Sequence, residues 1–515
     1  MKNADSKNFK KTKEVSRQQK SLPEDFKLIL KKRVPGMSLK LNKIRIGLVK
    51  IFSKTENIFL LLAIPALLVI AHITPIGWGL DEAAHVSRVY QISEGITYPI
   101  EIEPSSFGGS LPSNLFTALK NSKKEVKGFN SELPFYSRQD LKDPKLNDEL
   151  LSKPLNDNQR EEVEFGPTGP YNPFVYAAAA LGFFMSRILD LNVGQATFVA
   201  RVMQAAFFVF CGYLALRLLS KTKLRWLLFS VMLLPAVAYQ VVTINADSFT
   251  LAVTFLYFAS LSSLFLMKRK ATKHELLILS LSALGMALTK PSYAMFVALI
   301  LFLPQASLGG GKMAAKFKLA FTGGAFLPFL LFSVKGMSYV EGTYRPLSLA
   351  SSMNFSEQLH FMVFNGGFFL RVLCRSVIMN VESWSGSFIG HLGYSAISPP
   401  YPAFILAWIT LAGASVYGAK DLSKRVARYF VASGLVSMLS VAVVLYGTFN
   451  VIGSGQLNGI QGRYFIPSGL FIFAGLGALL PVSLKFKPFG EYKMFVGASA
   501  IILYSTLYVY VYSVL

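Results

Sequence analysis

Runs of about twenty apolar residues dominate this sequence and constrain its fold more than any other feature. A helix of about twenty apolar residues can cross the hydrocarbon core of a bilayer. The runs lie near 57–76, 197–219, 226–244, 248–267, 275–290, 291–305, 317–335, 402–419, 429–448, 465–484 and 494–514. The sequence therefore predicts an all-α integral membrane protein with about eleven transmembrane helices.

The composition agrees with a chain whose solvent is partly lipid. Charged residues make up 16% of the 515 residues, against about 25% in soluble domains. The two cysteines, Cys211 and Cys374, lie far apart and do not predict a disulfide framework. The five histidines show no metal-binding spacing, and no nucleotide-binding loop occurs in a suitable context.

The net charge of +24 is concentrated outside the apolar runs. Residues 1–55 hold sixteen Lys or Arg against four acids, which predicts a basic arm on the anionic cytoplasmic leaflet and no binding of nucleic acid. Loops rich in Lys and Arg recur between alternate runs, at 221–225, 268–273, 312–318, 420–428 and 485–493. The positive-inside rule places these loops in the cytoplasm with the N-terminus, and the C-terminus outside.

This topology divides the chain into a basic cytoplasmic arm (1–56), a membrane domain (57–484), and a cytoplasmic turn with a terminal transmembrane helix (485–515). The largest external loop covers 77–196. Its apolar stretch 173–186 is only fourteen residues long, so we expect an interfacial or re-entrant helix there. Two arginines within the apolar stretch 361–380 favour a second interfacial helix. The insertion 104–165 carries no motif that can be assigned.

The first polar motif directly follows the first apolar run. Asp81, His85 and Arg88 are spaced to share one face of a helix, and Glu82 follows Asp81. A carboxylate beside Arg88 could act as a general base, or Asp81 could be a metal ligand. The alternative is that Asp81 caps the helix and Glu82 stabilises its first turn.

Two further polar motifs lie at outer ends of predicted spans. An acid such as Asp247 is costly there unless it is paired or solvated, and the alternative is that Asn245 or Asp247 caps the next helix. Arg463, within Gln461–Tyr464, lies where the positive-inside rule disfavours a cation, which indicates an anionic partner such as a lipid phosphate. The alternative partners of Arg463 are an acid of the large loop or lipid headgroups.

Two weaker candidates complete the set of outer residues. Lys290, in the turn Lys290–Tyr293, is a lone cation that could bind the same anion or snorkel to the interface. Trp384 could belong to an interfacial aromatic belt or to a surface that stacks on sugars.

Taken in order, these motifs resemble a known family. They are Asp81-Glu82-x-x-His85-x-x-Arg88, Tyr171-Asn-Pro173, Asn245-Ala-Asp247, Lys290-x-x-Tyr293 and Gln461-Gly-Arg463-Tyr464-Phe-x-Pro467. Over roughly residues 57–485 the chain resembles the bacterial membrane-protein family called domain of unknown function 2142. That family is similar to the GT-C glycosyltransferases, which take sugars from polyprenyl-phosphate donors on the non-cytoplasmic side. In GT-C enzymes the first external loop begins with an acidic motif and contains membrane-lying helices.

The resemblance implies a multi-pass protein of the bacterial plasma membrane that moves a sugar to a cell-envelope glycan or glycolipid. It implies Asp81, with Glu82, as the catalytic acid pair, and leaves open whether Asp81 holds Mg²⁺ or Mn²⁺. It implies Arg463 and Lys290 as ligands of the donor phosphate. The other residues expected to bind substrate are His85, Arg88, Asp247, Tyr293, Gln461 and Tyr464.

Two other functions remain open at this stage. The first is a transporter or flippase of lipid-linked saccharides, and the second is a non-catalytic scaffold of an envelope-polymer complex. Buried charges midway along several spans would favour transport, whereas the notable charges here cluster at the outer ends of spans. This distribution favours chemistry at the membrane surface.

Overall fold

The structure is a computed structural model that describes most of the chain outside the N-terminal arm. The described residues are 54–104, 106–129, 149–267, 269–324, 327, 354–393, 397–487 and 490–515. The predicted basic arm lies outside these residues apart from its last three positions. Most of the predicted run 317–335 also lies outside them.

Helices make up most of the described residues. In chain order they are α1 (Thr55–Ile73), α2 (Glu82–Ser93), α3 (Ser113–Phe129), α4 (Ala177–Ile188), α5 (Val193–Leu218), α6 (Arg225–Met232), α7 (Pro235–Val242), α8 (Ala246–Leu266), α9 (Lys273–Ala287), α10 (Pro291–Ala294), α11 (Phe355–Phe364), α12 (Gly366–Ile389), α13 (Tyr401–Gly418), α14 (Lys424–Phe449), α15 (Ile466–Leu479) and α16 (Gly497–Val514). A further helix covers 311–324. Short 3₁₀ turns include Pro173–Tyr176, Met295–Phe302 and Gly462–Phe465.

Several of these helices are long and apolar enough to cross a membrane. Within the described residues, 7 qualify alone or with an adjoining turn, namely α1, α5, α8, α13, α14, α15 and α16. The bent pairs α6–α7 (61°) and α11–α12 (101°) raise the number to 9 if each pair is one span. The chain is therefore a multi-pass, mostly helical membrane protein, while the count of eleven spans stays a prediction.

Short or bent segments account for part of this difference. The predicted runs 275–290 and 291–305 are two short helical segments that meet at Lys290, whose ψ of 145° is extended. Pro291 lacks an N–H group and disfavours helical backbone at the residue before it, so the two segments do not join. Pro235 likewise opens α7 and marks the bend in the α6–α7 pair.

α8 is the central helix of the bundle. Its apolar window is 72% buried within the protein, against 39% to 61% for the other six spans. Asn245 caps α8, because its side-chain oxygen accepts the N–H of Ser248 at 3.0 Å. The capping alternative is thus confirmed for Asn245. Asp247, in the first turn of α8, lies at the centre of one end of the bundle.

The loop between α1 and α5 folds into a small unit on this end of the bundle. It contains an antiparallel sheet of strands β1 (Ile100–Glu103), β2 (Ser106–Pro112) and β3 (Arg160–Glu164), in the order β1–β2–β3. Gln91 of α2 donates to the carbonyl oxygen of Gly108 in β2 at 3.2 Å, which joins the sheet to α2. The prediction of an all-α fold did not include this sheet.

α4 lies against α5 in this unit. A Cβ added at Gly182 would lie 2.5 Å from the Cα of Ala200, so only glycine permits this close approach. The turn and helix together, Pro173–Ile188, are apolar but shorter than a span, as the sequence predicted for 173–186. The position of this segment in the membrane interface stays a prediction.

Candidate functional site

Glu82 begins α2 in a fully enclosed position. Its two carboxylate oxygens each lie 2.9 Å from Nη2 of Arg201 in α5, and both side chains are buried. The carboxylate also accepts the backbone N–H groups of Gly79 and Ile244, each at 2.9 Å. Glu82 therefore has its partners inside the protein and fixes α2 to α5 and to the start of α8.

Asp81, the neighbouring acid, has opposite surroundings. Its side chain is exposed and forms no cap hydrogen bond with α2, so the prediction that the Asp81 side chain caps this helix is wrong. Its backbone lies in the left-handed region, with φ at 61°. Residues with a Cβ avoid this conformation, and proteins retain it mainly where the surroundings enforce it, often at functional sites.

Three charged residues from separate turns meet at the same end of the bundle, and we call Asp247, Lys290 and Arg463 the charged cluster. Lys290 Nζ lies 2.6 Å from Asp247 Oδ1, and Arg463 Nη1 lies 3.8 Å from Asp247 Oδ2. Arg463 donates from Nη1 to Gln240 Oε1 at 2.9 Å and from Nη2 to the Tyr464 hydroxyl at 3.3 Å. Its buried Nε has no hydrogen-bond partner among the described residues. The charged cluster thus retains unused donor capacity.

Tyrosine side chains surround Lys290. Its Nζ lies 4.5 Å from the ring centroid of Tyr464 and 5.6 Å from that of Tyr171. Tyr293 donates its hydroxyl to the backbone oxygen of Tyr464 at 2.8 Å, which connects the two basic turns. The Tyr171 ring also lies 5.6 Å from the ring of His85, measured between centroids. Aromatic contacts therefore extend from the charged cluster to α2.

His85 connects Asp81 with the charged cluster. Its Nδ1 lies 2.7 Å from the hydroxyl oxygen of Tyr176. Burial lowers the pKa of His85 to about 4, although the carboxylates of Asp81 and Asp247 act in the opposite direction. His85 is therefore neutral at neutral pH. Because both carboxylates act on this imidazole, Asp81 and Asp247 belong to the same electrostatic environment.

Two other residues that the sequence predicted to bind substrate, Arg88 and Gln461, lie outside the charged cluster. Arg88 donates from Nη1 to Gln91 Oε1 at 2.5 Å, and from Nη2 to the carbonyl oxygen of Thr97. The second bond connects α2 to the chain that follows it. Gln461 precedes the turn that carries Arg463, and its buried Oε1 has no hydrogen-bond partner within the described part of the chain.

The turn that carries Arg463 is held against α12. The backbone N–H of Gly462 donates to Ser387 Oγ at 2.7 Å. A Cβ at position 462 would lie 1.7 Å from the carbonyl oxygen of Trp384, so a side chain at this position would displace the turn. The Trp384 ring packs edge-on against Phe465, with 5.6 Å between centroids. Trp384 thus supports the Arg463 turn.

Three side chains around this site were not identified from the sequence. They are Gln240, which accepts from Arg463; Arg201, which pairs with Glu82; and Tyr176, which contacts His85. Gln240 and Arg201 are strongly polar residues within apolar runs, a pattern that often marks buried polar networks or functional sites in membranes. That signal was present in the sequence.

Whether Asp81 holds a divalent metal ion stays a prediction. In the described stretches, no group of three or more His, Cys, Asp or Glu side chains is placed to hold a metal ion. Lys290 and Arg463 instead provide the charges next to Asp247.

Comparison with known proteins identifies the family. No curated protein and no solved structure is similar enough to the chain to count as a match. The family model described as "Predicted membrane protein (DUF2142)" matches residues 65–472, which is most of the chain. This span includes every residue of the charged cluster and both acids at the start of α2. The chain therefore belongs to the DUF2142 family of predicted membrane proteins.

Proposed function

We propose that this protein is a membrane glycosyltransferase that moves a sugar from a polyprenyl-phosphate donor to a glycan or glycolipid acceptor. The observation that carries the proposal is an exposed carboxylate, Asp81, in the same environment as the charged cluster. Such a transfer needs a base for the acceptor hydroxyl and positive charge for the leaving phosphate. The two requirements match Asp81 and the two cations.

In this proposal Lys290 and Arg463 hold the donor phosphate. The planar guanidinium of Arg463 can bind two phosphate oxygens, and its Nε is unpartnered among the described residues. Asp247 orients both cations before the donor binds. Negative charge grows on the phosphate as the glycosidic bond breaks, so the cations stabilise the transition state more than the bound donor.

Asp81 is the proposed base. Its carboxylate takes the proton of the acceptor hydroxyl while that oxygen forms a bond to the anomeric carbon. The bond from the anomeric carbon to the phosphate oxygen breaks, and its electron pair leaves with the phosphate. Attack from the side opposite the phosphate inverts the configuration of the sugar. His85 is neutral, so it places no positive charge beside Asp81 that would weaken it as a base.

Glu82 and Arg88 have supporting roles in this mechanism, in contrast to their predicted roles in catalysis and substrate binding. Glu82 is buried with Arg201, and Arg88 is bonded to Gln91 and Thr97. We assign neither to direct contact with the substrate. Tyr171 and Tyr464 are instead placed beside the charged cluster, where their rings could face a sugar.

The position of the site suits a donor that stays in the membrane. Asp247 begins the span α8, and Arg463 begins the span Gly462–Leu479, so both lie at the ends of spans. A polyprenyl tail could remain in lipid while its phosphate reaches the charged cluster. We place this end on the non-cytoplasmic face of a bacterial plasma membrane. Reporter fusions at Lys223 and Gly459 should report opposite faces, and a shared face would refute this orientation.

Sugar transfer by the purified protein tests the proposal directly. Labelled sugar would be offered on synthetic polyprenyl-phosphate donors with a panel of glycan and glycolipid acceptors, and wild type compared with Asp81→Asn. Asparagine tolerates left-handed backbone, so this variant removes the base without disturbing the start of α2. Asp190→Asn is the matched control. Asp190 is exposed, and Asp81 and Asp190 are the two described residues other than glycine that have positive φ.

The two variants should behave differently. We expect transfer to fall by about 10²-fold or more in Asp81→Asn, the usual scale for removal of a positioned base, and to persist in Asp190→Asn. Equal transfer in all three proteins would remove Asp81 from the mechanism. A wild type that transfers no sugar from any donor would contradict the glycosyltransferase proposal and favour translocation of lipid-linked saccharides.

A further inference from the structure

A groove separate from the charged cluster lies between the C-terminal end of α2 and α4. It is open at the surface and has a volume of about 450 Å³. Apolar side chains form one part of it, mainly Ile92, Leu181 and Phe184. Glu94, Arg187 and the residues around Gly95 form the other part. The groove therefore has an apolar end and a charged end.

The charged end contains one incompletely bonded cation. Glu94 is paired with Arg160, whose Nη1 and Nη2 lie 2.9 and 2.8 Å from the two carboxylate oxygens. Arg187 Nη1 is 3.9 Å from Glu94, beyond hydrogen-bond distance, and Nη2 donates to the backbone oxygen of Ser93. The buried Nε of Arg187 has no hydrogen-bond partner among the described residues. Glu94 is bound more closely by Arg160, which does not line the groove, so the charge of Arg187 is only partly neutralised by this carboxylate.

The apolar end continues onto an exposed surface of α4. Leu181, Phe184 and Ile188 are spaced to share one helix face, and they are 46%, 46% and 67% exposed. Phe174, in the turn before α4, is also 67% exposed. Water is an unfavourable partner for so much contiguous apolar surface, and the segment is too short to be a span. Lipid at the membrane interface is the medium that suits such a face.

We propose that this groove binds an anionic phospholipid, with its phosphate at Arg187 and an acyl chain along Leu181 and Phe184. The unpartnered Nε and the partly neutralised charge of Arg187 select an anionic headgroup, because Arg binds phosphate through charge-assisted hydrogen bonds. The apolar residues distinguish a lipid from a free phosphate, which would leave that part of the groove uncovered. This lipid site does not depend on the proposed sugar transfer. It uses none of the residues assigned to that reaction.

Tryptophan fluorescence in proteoliposomes tests the lipid site. Leu181→Trp places a reporter in the groove, and the signal of the unsubstituted protein, with its four tryptophans, is subtracted. Acyl-brominated phosphatidylglycerol and acyl-brominated phosphatidylcholine would be compared as quenchers at equal mole fraction. Leu435→Trp is the control, because Leu435 is 54% exposed on the span α14, away from the groove.

We expect phosphatidylglycerol to be preferred about fivefold at position 181, the scale of one cation acting on an anionic lipid. The reporter at 435 should show no preference. Adding Arg187→Gln should abolish the preference at 181, whereas Arg187→Lys, which keeps the charge, should retain part of it. Equal quenching by both lipids, or no quenching by either, at position 181 would refute the lipid site. A preference that survives Arg187→Gln would refute its assignment to Arg187.

Discussion

Two groups of oppositely charged residues lie at the same end of the helix bundle, and they differ in how completely the protein satisfies them. Glu82 and Arg201 are 0% and 2% exposed, and their contacts are short and bidentate. In the charged cluster, the side chains of Asp247 and Lys290 are 14% and 21% exposed, and Arg463 approaches the carboxylate only to 3.8 Å. The first group is closed, whereas the second has capacity left for a ligand.

The closed pair also determines where the open cluster lies. Glu82 accepts the N–H of Ile244, directly before the cap of α8. The cap residue, Asn245, donates to Gln240 Oε1 at 3.2 Å, and the same oxygen accepts from Arg463 at 2.9 Å. Buried polar networks that are fully satisfied make a structure rigid, and here the rigid part carries the start of α8. The comparison therefore separates the framework pair, Glu82 and Arg201, which holds the site in place, from the charged cluster, which has donors left for a ligand.

The largest expected effect is the loss of the closed pair. Arg201→Ala leaves the carboxylate of Glu82 buried with only backbone partners, so we expect the free energy of unfolding to fall by about 3–5 kcal/mol. Thermal unfolding of the purified protein in detergent, followed by circular dichroism, would measure the loss. The expected result is a strong decrease in the melting temperature or a failure to obtain folded protein.

The matched variant for this test is Lys290→Ala in the open cluster. Asp247 is partly exposed and retains Arg463 at 3.8 Å, so the uncompensated charge should cost much less stability. Equal destabilisation by the two variants would show that the two groups play the same structural part. The distinction between a structural pair, Glu82 and Arg201, and a ligand-binding charged cluster would then be wrong.

The sequence predicted the members of the open cluster better than those of the closed pair. Asp247, Lys290 and Arg463 each interrupt an apolar pattern at a span end, so charge alone identifies them. Arg201 lies inside an apolar run, where hydropathy averaged over about twenty residues conceals a single cation. Glu82 was grouped with Asp81 because the two acids are adjacent in the sequence, although burial separates them completely.

The fold was predictable where it depends on local pattern. Seven predicted spans correspond to single long helices, because each needs only an uninterrupted apolar run. The sheet between α1 and α5 was missed, because the pairing of β2 with β3 joins Pro112 to Arg160, which lie near opposite ends of the 104–165 insertion. Such pairing depends on contacts distant in sequence, which no local pattern reveals. The break at Lys290 was predicted, but the helical segments on either side of it are shorter than a span.

A smaller effect, confined to function, is expected for Arg463→Lys. Lysine keeps the positive charge but cannot bond Gln240, Tyr464 and a phosphate with one planar group. We expect sugar transfer to fall by about 10²-fold, while the free energy of unfolding changes by only about 1 kcal/mol. Arg217→Lys, at an exposed position near the end of α5, is the control and should leave transfer unchanged.

The loss of sugar transfer and the loss of stability in Arg463→Lys together show whether Arg463 belongs to the framework or to the ligand site. A loss of stability as large as that of Arg201→Ala would place Arg463 in the framework. Unchanged transfer in Arg463→Lys would show that charge alone suffices, and the bidentate contact with phosphate would be refuted.

The last prediction concerns His85, on which Asp81 and all three residues of the charged cluster act electrostatically. Burial lowers the pKa of His85 to about 4 in the folded protein, whereas an unfolded chain has an ordinary value of about 6.5. Between these values the unfolded state binds a proton that the folded state does not, so stability should fall as the pH decreases from 6.5 to 4. Below pH 4 both states are protonated, and this contribution levels off.

His85→Gln should reduce this acid-dependent loss, and His360→Gln, at an exposed position, should not. Melting temperatures measured between pH 7 and pH 4 would show the difference. The folded state disfavours imidazolium because burial outweighs the two carboxylates, Asp81 and Asp247, that would stabilise it. If His85→Gln follows the wild-type pH profile, the pKa of His85 is the same in the folded and unfolded protein. Asp81 would then face an imidazolium below about pH 6.5, and sugar transfer should weaken in that range.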